Sequence, residues 1–317
     1  MNNRIVVFGG TGFIGRNLCY SLVKDGYKVK SFDNNERGHN YSTHESDIEY
    51  IKGDICDFED VRKAIKNSDI VFNLAFINGT KNFYKIPGRI LEIAAIGQLN
   101  IGKAINQIGV EKFIYASSSE TYQKPKLLPT NEKEELKIPD PHNPRYSYGG
   151  GKIFGELCTL HHIQNVECRL IFRPHNVYGA YMGEDHVIPE LFSKIKKAII
   201  TNEKYLDVIG KPTNSRSFIY IDDAVKAIKL VMNNGCNREI FNIGSGVETR
   251  IDDLVAKMIS VTNSNLKARF NLSGHDGSVS RRIPDISKIV EIGYVNNVGL
   301  DKGLEFCWKS MENSNEL

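Results

Sequence analysis

Near the start of the chain, Val6-Val7-Phe8 runs straight into Gly9-Gly10-Thr11-Gly12-Phe13-Ile14-Gly15, and a helical pattern follows. A strand that must turn at once into a helix needs backbone conformations that glycine adopts most readily. The missing Cβ atoms also let a pyrophosphate dock on the helix N-terminus, where unpaired N–H groups and the helix dipole favour an anion. Asp33 closes the next strand-like run, where an acid accepts both hydroxyls of an adenosine ribose and repels a 2′-phosphate. Strand, glycine loop, helix and acid together predict dinucleotide binding. NAD is favoured over NADP, with Arg37 nearby keeping NADP open as an alternative.

The alternation continues downstream. Arg4–Phe8, Lys28–Phe32, Ile48–Lys52, Ile70–Leu74, Lys112–Ala116 and Glu167–Phe172 read as strands. Phe13–Lys24, Phe58–Ile65, Pro87–Ile108 and Tyr148–His162 read as helices between them. This predicts an α/β fold of Rossmann type, a doubly wound parallel sheet with right-handed crossovers. After Arg173-Pro174 the texture turns to Gly, Pro, Asn and His loops with helical stretches at Ile188–Ile199, Ile221–Met232 and Ile251–Thr262. The expected division is a cofactor domain over residues 1–174 and a smaller C-terminal substrate lobe over 175–317. No polar linker separates them, so the two are expected to interleave around 217–245.

Composition narrows the function. The 317 residues are 41% hydrophobic and 25% charged with a formal net charge of +3, which fits a globular chain and points away from nucleic acid or membrane as main partner. No apolar run approaches the roughly 20 residues that span a bilayer, and the N-terminal run is too short for a signal peptide. The six cysteines, Cys19, Cys56, Cys158, Cys168, Cys236 and Cys307, show no zinc spacing, so no metal is expected and a reducing cytoplasm is. The tail Met311–Leu317 is polar and expected to fray.

Tyr148-Gly149-Gly150-Gly151-Lys152 places a phenol and an ammonium on one helix face at i and i+4. A free tyrosine titrates near ~10 and is a poor base at neutral pH, but a neighbouring cation favours the phenolate. Tyr146 is a rival base, yet only Tyr148 has a lysine four residues on. The three glycines cost roughly 1 kcal/mol each against alanine inside a helix. Either a neighbouring element or cofactor approaches closely there, or the helix starts late. A hydroxyl is expected beside the pair, and Ser117-Ser118-Ser119 follows a strand where it should lie.

These motifs resemble the extended short-chain dehydrogenase/reductase family, the nucleotide-sugar epimerases and dehydratases, over nearly the whole chain. Gly9, Gly12 and Gly15 fit its G-x-x-G-x-x-G fingerprint, which implies cofactor contacts there and at Phe13 and Ile14. Gly53-Asp54-Ile55 resembles the adenine-contacting segment, and Asn73-Leu74-Ala75-Phe76 the strand end beside the cofactor; Asp54, Ile55, Leu74 and Ala75 are carried over from these. Counting back from Tyr122, the resemblance puts the catalytic hydroxyl at Ser118. It places Glu120 where dehydratases and decarboxylases keep a carboxylate for work beside the ketone, though a solvated loop acid is the plainer reading. Dehydratases usually have aspartate just before it; Ser119 is closer to the decarboxylases. Ala94 stands where the family often has an asparagine that serves a hydrogen-bond relay.

In the C-terminal half, Asn176 of Arg173-Pro174-His175-Asn176-Val177-Tyr178-Gly179, Val187 of Glu184-Asp185-His186-Val187-Ile188-Pro189, and Arg216 and Arg282 match substrate-binding positions. Guanidinium forks suit diphosphate oxygens. His175, His186 and the His161-His162 pair read as packed or hydrogen-bonded side chains. The resemblance implies tightly held NAD, a nucleotide diphosphate sugar as substrate, and a homodimer built on the helices near Pro87–Ile108 and Tyr148–His162. A sugar hydroxyl, at C4, is oxidised transiently by Tyr148, Lys152 and Ser118; Tyr148 and Lys152 also contact the cofactor, Lys152 at the nicotinamide ribose, and Ser118 contacts the substrate. Chemistry at the adjacent carbon follows, with dehydration slightly ahead and a simple 4-epimerase or a decarboxylase as alternatives. A non-catalytic dinucleotide-binding regulatory protein is the rival from another class.

Overall fold

The structure is a computed structural model that describes residues 3–36, 47–183, 186–272 and 279–313. Arg37, Glu184, Asp185 and the last four residues of the tail fall outside the described residues. Six strands form in the order of the sequence: β1 (Arg4–Phe8), β2 (Lys28–Asp33), β3 (Ile48–Lys52), β4 (Ile70–Asn73), β5 (Val110–Ala116) and β6 (Val166–Pro174). Together with Glu239–Ile243 they make one seven-stranded sheet, ordered Glu239–Ile243, β6, β5, β4, β1, β2, β3, and every neighbouring pair is parallel. The seventh strand comes from well inside the C-terminal half.

Side-chain alternation divides the core. Along β1, Ile5 and Val7 point into one apolar cluster and Val6 and Phe8 into the other, all of them fully buried. Helix α1 (Phe13–Lys24) covers the first face with Leu18 and Leu22, while α2 (Phe58–Ile65) covers the second with Val61 and Ile65. Burying each such side chain contributes about 1.5–3 kcal/mol. Among the described residues, no helix is long and apolar enough to cross a membrane.

The helical run after β4 is more broken than its periodicity implies. Thr80–Lys85 (α3) and Pro87–Glu92 (α4) come first, a π-helical turn over Ile93–Gly97 follows, and Gln98–Ile108 (α5) completes it. Gly97 packs so closely on Ile55 that a Cβ there would overlap its side chain. Tyr146–Leu157 (α6) likewise ends in a π-helical turn, Cys158–His162.

The strand order reverses direction at β1, between β4 and β2, so the loops leaving β1 and β4 diverge and open a crevice at the carboxyl edge of the sheet. Facing it are the helix Val187–Ile200 and the small sheet containing Ser215–Arg216 and Arg281–Arg282.

Candidate active site

The glycine loop is tight because its own backbone fills it. Gly9, at φ +80°, donates to Phe32 O at 2.9 Å, and a Cβ on it would stand 2.6 Å from Ala75 N. A Cβ on Gly15 would overlap the Gly9 carbonyl. Gly12 differs: among the described residues its added Cβ would meet only Gly9 O, at 3.3 Å. The position therefore looks out over open space at the N-terminus of α1. That terminus has no side-chain cap and no acid in its first turn. Its first N–H groups have no intrahelical partner, which suits a pyrophosphate.

Asp33 ends β2 with Oδ2 accepting from Thr11 N at 3.2 Å and Oδ1 from Asn35 N at 2.9 Å. Asp54 is gripped by Arg89 of α4 at 2.7 Å. Burial would raise the Asp54 pKa, but the Cys56 N–H and Arg89 hold it below the usual carboxylate range. Gly9, Gly12, Phe13, Ile14, Gly15, Asp33, Asp54, Ile55, Leu74 and Ala75 all line one continuous cavity of about 990 Å³. The shape and donors of this cradle fit a dinucleotide.

Tyr148, Lys152, Ser118 and Glu120 line the same cavity. Tyr148 is buried, its ring stacked on Phe83 at 4.7 Å between centroids and edge-on to Phe76 at 5.2 Å. Lys152 is buried and donates from Nζ to Ala116 O at 2.7 Å. Burial pushes its pKa down to about 7, against an upward pull from Glu156. Glu156, one helical turn further along α6, receives Ser117 Oγ at 2.5 Å and Arg173 Nη2 at 2.6 Å. Ser118 Oγ accepts from Glu120 N at 3.2 Å and caps a short 3₁₀ turn over Ser119–Tyr122. Helix α6 begins at Tyr146, upstream of the three glycines, so a late helix start does not explain them. Close approach does: a Cβ on Gly149 would lie 3.0 Å from Gln123 Nε2, and one on Gly151 would lie 2.7 Å from Ala94 Cβ.

Glu120 is ion-paired. Arg282 Nη1 donates to its Oε1 at 2.5 Å, and Arg145 Nη2 stands 3.6 Å from Oε2. Burial would raise its pKa, but Arg282 and Arg145 hold it at about 2. The solvated-loop-acid reading therefore fails. The cations outnumber it. Arg145 and Arg282 are 9% and 4% exposed, and among the described residues Arg145 Nε and Arg282 Nε and Nη2 find no hydrogen-bond partner. Arg216 adds a third cation, which burial and then Arg282 lower to about 10, with Nη1 donating to Ser215 O at 2.7 Å.

Asn176, at φ +35°, donates to Ser217 O at 3.0 Å, and Val187 opens the helix Val187–Ile200; both line the cavity. His186 lines it as well. His175 is fully buried 3.4 Å from Asn242 Oδ1, and burial drives its pKa to about 3, so it is a packed neutral ring.

Sequence reasoning passed over Arg145, although it lies three residues before Tyr148 on the same helical face. It also passed over Phe83 and the role of Phe76, which read as ordinary apolar residues.

The model of the NAD dependent epimerase/dehydratase family matches residues 5–244. A UDP-N-acetyl-alpha-D-glucosaminuronate decarboxylase of Bacillus cytotoxicus is 30% identical over 314 residues, covering 96% of both chains. A putative UDP-glucose 4-epimerase of Methanocaldococcus jannaschii is 28% identical, covering 98% of this chain and 99% of its own. The crystal structure of a UDP-glucose 4-epimerase from Thermotoga maritima, solved with UDP-glucose, superposes with a TM-score of 0.85 at 27% identity. It covers 99% of this chain and 100% of its own.

Proposed function

The chain belongs to the NAD-dependent epimerase/dehydratase family, and from that premise we propose that it decarboxylates a hexuronic acid carried on a nucleoside diphosphate. The observation that carries this reading is the pair Arg145 and Arg282, buried beside Glu120 with guanidinium N–H groups that find no partner among the described residues. Buried donors on a cation are costly when unsatisfied, and an anion brought in by the substrate satisfies them. A uronic acid brings two kinds of anion, its diphosphate and its C6 carboxylate; we assign this pair the carboxylate, which a guanidinium binds through two oxygens at once, in place of the diphosphate expected of Arg282.

Gly9, Gly12, Phe13, Ile14 and Gly15 would hold the NAD pyrophosphate, Asp33 the adenosine ribose, Asp54 and Ile55 the adenine, and Leu74 and Ala75 the nicotinamide end. Bound NAD supplies the oxidising power that makes the sugar C4 a ketone. Tyr148 accepts the C4 hydroxyl proton, Lys152 supplies the neighbouring positive charge, and the Ser118 hydroxyl donates to the developing oxyanion. Asn176, Val187 and Arg216 face the nucleotide and its phosphates. The C6 carboxylate of a C4 ketone is a β-keto acid. As CO2 leaves, the C5–C6 bond electrons pass to C5 and the C4 oxygen, no base is needed to start the step, and the resulting enolate takes a proton at C5 from solvent. Elimination of water does need one, at C5. Glu120, which burial raises but its arginines hold at about 2, is a weak candidate for that task.

The test is mass spectrometry of products after incubating the purified chain and NAD with UDP-, GDP-, CDP- and dTDP-linked sugars, neutral and uronic. Loss of CO2 from a uronic acid supports the reading. Loss of water overturns it in favour of a dehydratase, and inversion at C4 without mass change in favour of a 4-epimerase.

We also place the protein in the cytoplasm as a homodimer, with residues 1–174 as cofactor domain and 175–317 mainly as substrate lobe. Support comes from six free cysteines and from exposed Leu91, Ile96 and Leu157 on adjoining helices.

A further inference from the structure

Ala94 and Gly151 meet in space. A Cβ on Gly151 would come 2.7 Å from Ala94 Cβ and 3.1 Å from Phe76 Cζ. Helix α6 thus lies directly against the Ile93–Gly97 turn, with the Phe76 ring closing the remaining gap. Lys152 ends in this gap. Its Nζ sits 4.0 Å from the Phe76 ring centroid, 5.2 Å from that of Tyr115 and 5.9 Å from that of Tyr148. Its hydrogen bond among the described residues goes to Ala116 O. Three aromatic rings thus have their centroids within 6 Å of one ammonium.

We propose that Phe76 is a positioning residue for Lys152, the principal wall of an aromatic box that holds the ammonium where no polar relay is built. A cation over a ring face is attracted by the ring quadrupole, and the attraction grows as water is excluded. Tyr115 and Tyr148 complete the box, so the charge is kept beside Tyr148 without a polar side chain at position 94. Charged groups on the surrounding elements leave this balance to the rings. Glu156 pulls the Lys152 pKa upward but is shared with Arg173 and Ser117. Arg89 on α4 pairs with Glu92 and with Asp54, and Glu120 pairs with Arg282 and Arg145. Tyr115 on β5 is buried and desolvated, which raises its pKa well above the ordinary value and leaves it neutral.

The proposal rests on reading Lys152 as the charged partner of Tyr148, yet its test needs no substrate. Full-length protein saturated with NAD and labelled with [ε-13C]lysine is titrated by 13C NMR, and Lys152→Met identifies the resonance. Phe76→Leu keeps the gap apolar and removes the ring, so the Lys152 midpoint is expected to fall by about one pH unit. Phe76→Tyr restores a ring and is expected to return the midpoint to the wild-type value. An unchanged or raised midpoint in Phe76→Leu, with thermal unfolding confirming a folded protein, overturns the proposal. Phe76→Met carries the same test if the leucine variant does not fold. Failure of the decarboxylation reading leaves this result untouched.

Discussion

Burial opposes the charge on Lys152, and its pKa drops from 10.5 to about 7. Between those two values the unfolded chain binds a proton that the folded chain releases, so stability rises with pH across that window. Below pH 7 the folded state carries the whole cost of a buried ammonium. Lys152→Met removes the cost along with the charge. The variant is expected to melt a few degrees above the wild type at pH 6, with the advantage shrinking as pH climbs from 7 toward 10.5. Calorimetry over that range checks it; equal melting temperatures at pH 6 would show that the aromatic contacts offset desolvation completely. Turnover should be lost in the same variant, as happens where a site holds a group at the expense of the fold. The buried, partly unsatisfied Arg145 and Arg282 belong to the same class, and both sit within reach of Glu120.

At the scale of elements, the β1–α1 turn separates folding from binding. Gly15 cannot become alanine without displacing the Gly9 carbonyl, so Gly15→Ala should cost about 1–3 kcal/mol of stability as well as NAD affinity. Gly12→Ala meets only Gly9 O at 3.3 Å, and its methyl enters the space over the helix N-terminus. It should melt close to the wild type and still bind NAD at least about tenfold more weakly, by calorimetric titration. Similar losses of stability in both variants would sink this division of labour. The turn was legible in the sequence because glycine spacing, strand and helix are all local signals. So were β1 to β6, short apolar or mixed polar and apolar runs bracketed by turn residues. Glu239–Ile243 was not: its Ile240, Phe241 and Ile243 resemble the other runs, but it joins the sheet by pairing with β6 about 70 residues earlier. The π-helical turn at Ile93–Gly97 was hidden too, since a shift of hydrogen-bond register hardly disturbs apolar periodicity. Tyr148 and Lys152 could be paired at i, i+4, whereas the Glu120–Arg282 contact spans 162 residues and only the fold makes it.

For the whole molecule, the helices that carry the site also present its apolar outer face. Leu91, Ile96 and Leu157 are 49%, 46% and 53% exposed on α4, the π-helical turn after it and the end of α6. A few scattered apolar side chains on a surface are ordinary, but these three lie on packed neighbouring helical segments, where the proposed homodimer would cover them. A second copy of the chain is its simplest complement, because a two-fold interface uses the same patch twice. Association would brace α6 from outside, on the side opposite the cavity where Tyr148 and Lys152 point. Leu91→Glu combined with Leu157→Glu would place charges in the proposed interface, where they would be buried without partners. Sedimentation equilibrium at micromolar concentration is expected to give twice the chain mass for the wild type and the chain mass for the double variant. NAD should still bind the monomer, since Gly9 to Gly15 and Asp33 lie in the β1–α1 turn, at the start of α1 and at the end of β2. A wild-type chain that sediments as a monomer removes the dimer and leaves the cofactor and sugar sites standing, because every residue assigned to them comes from one chain.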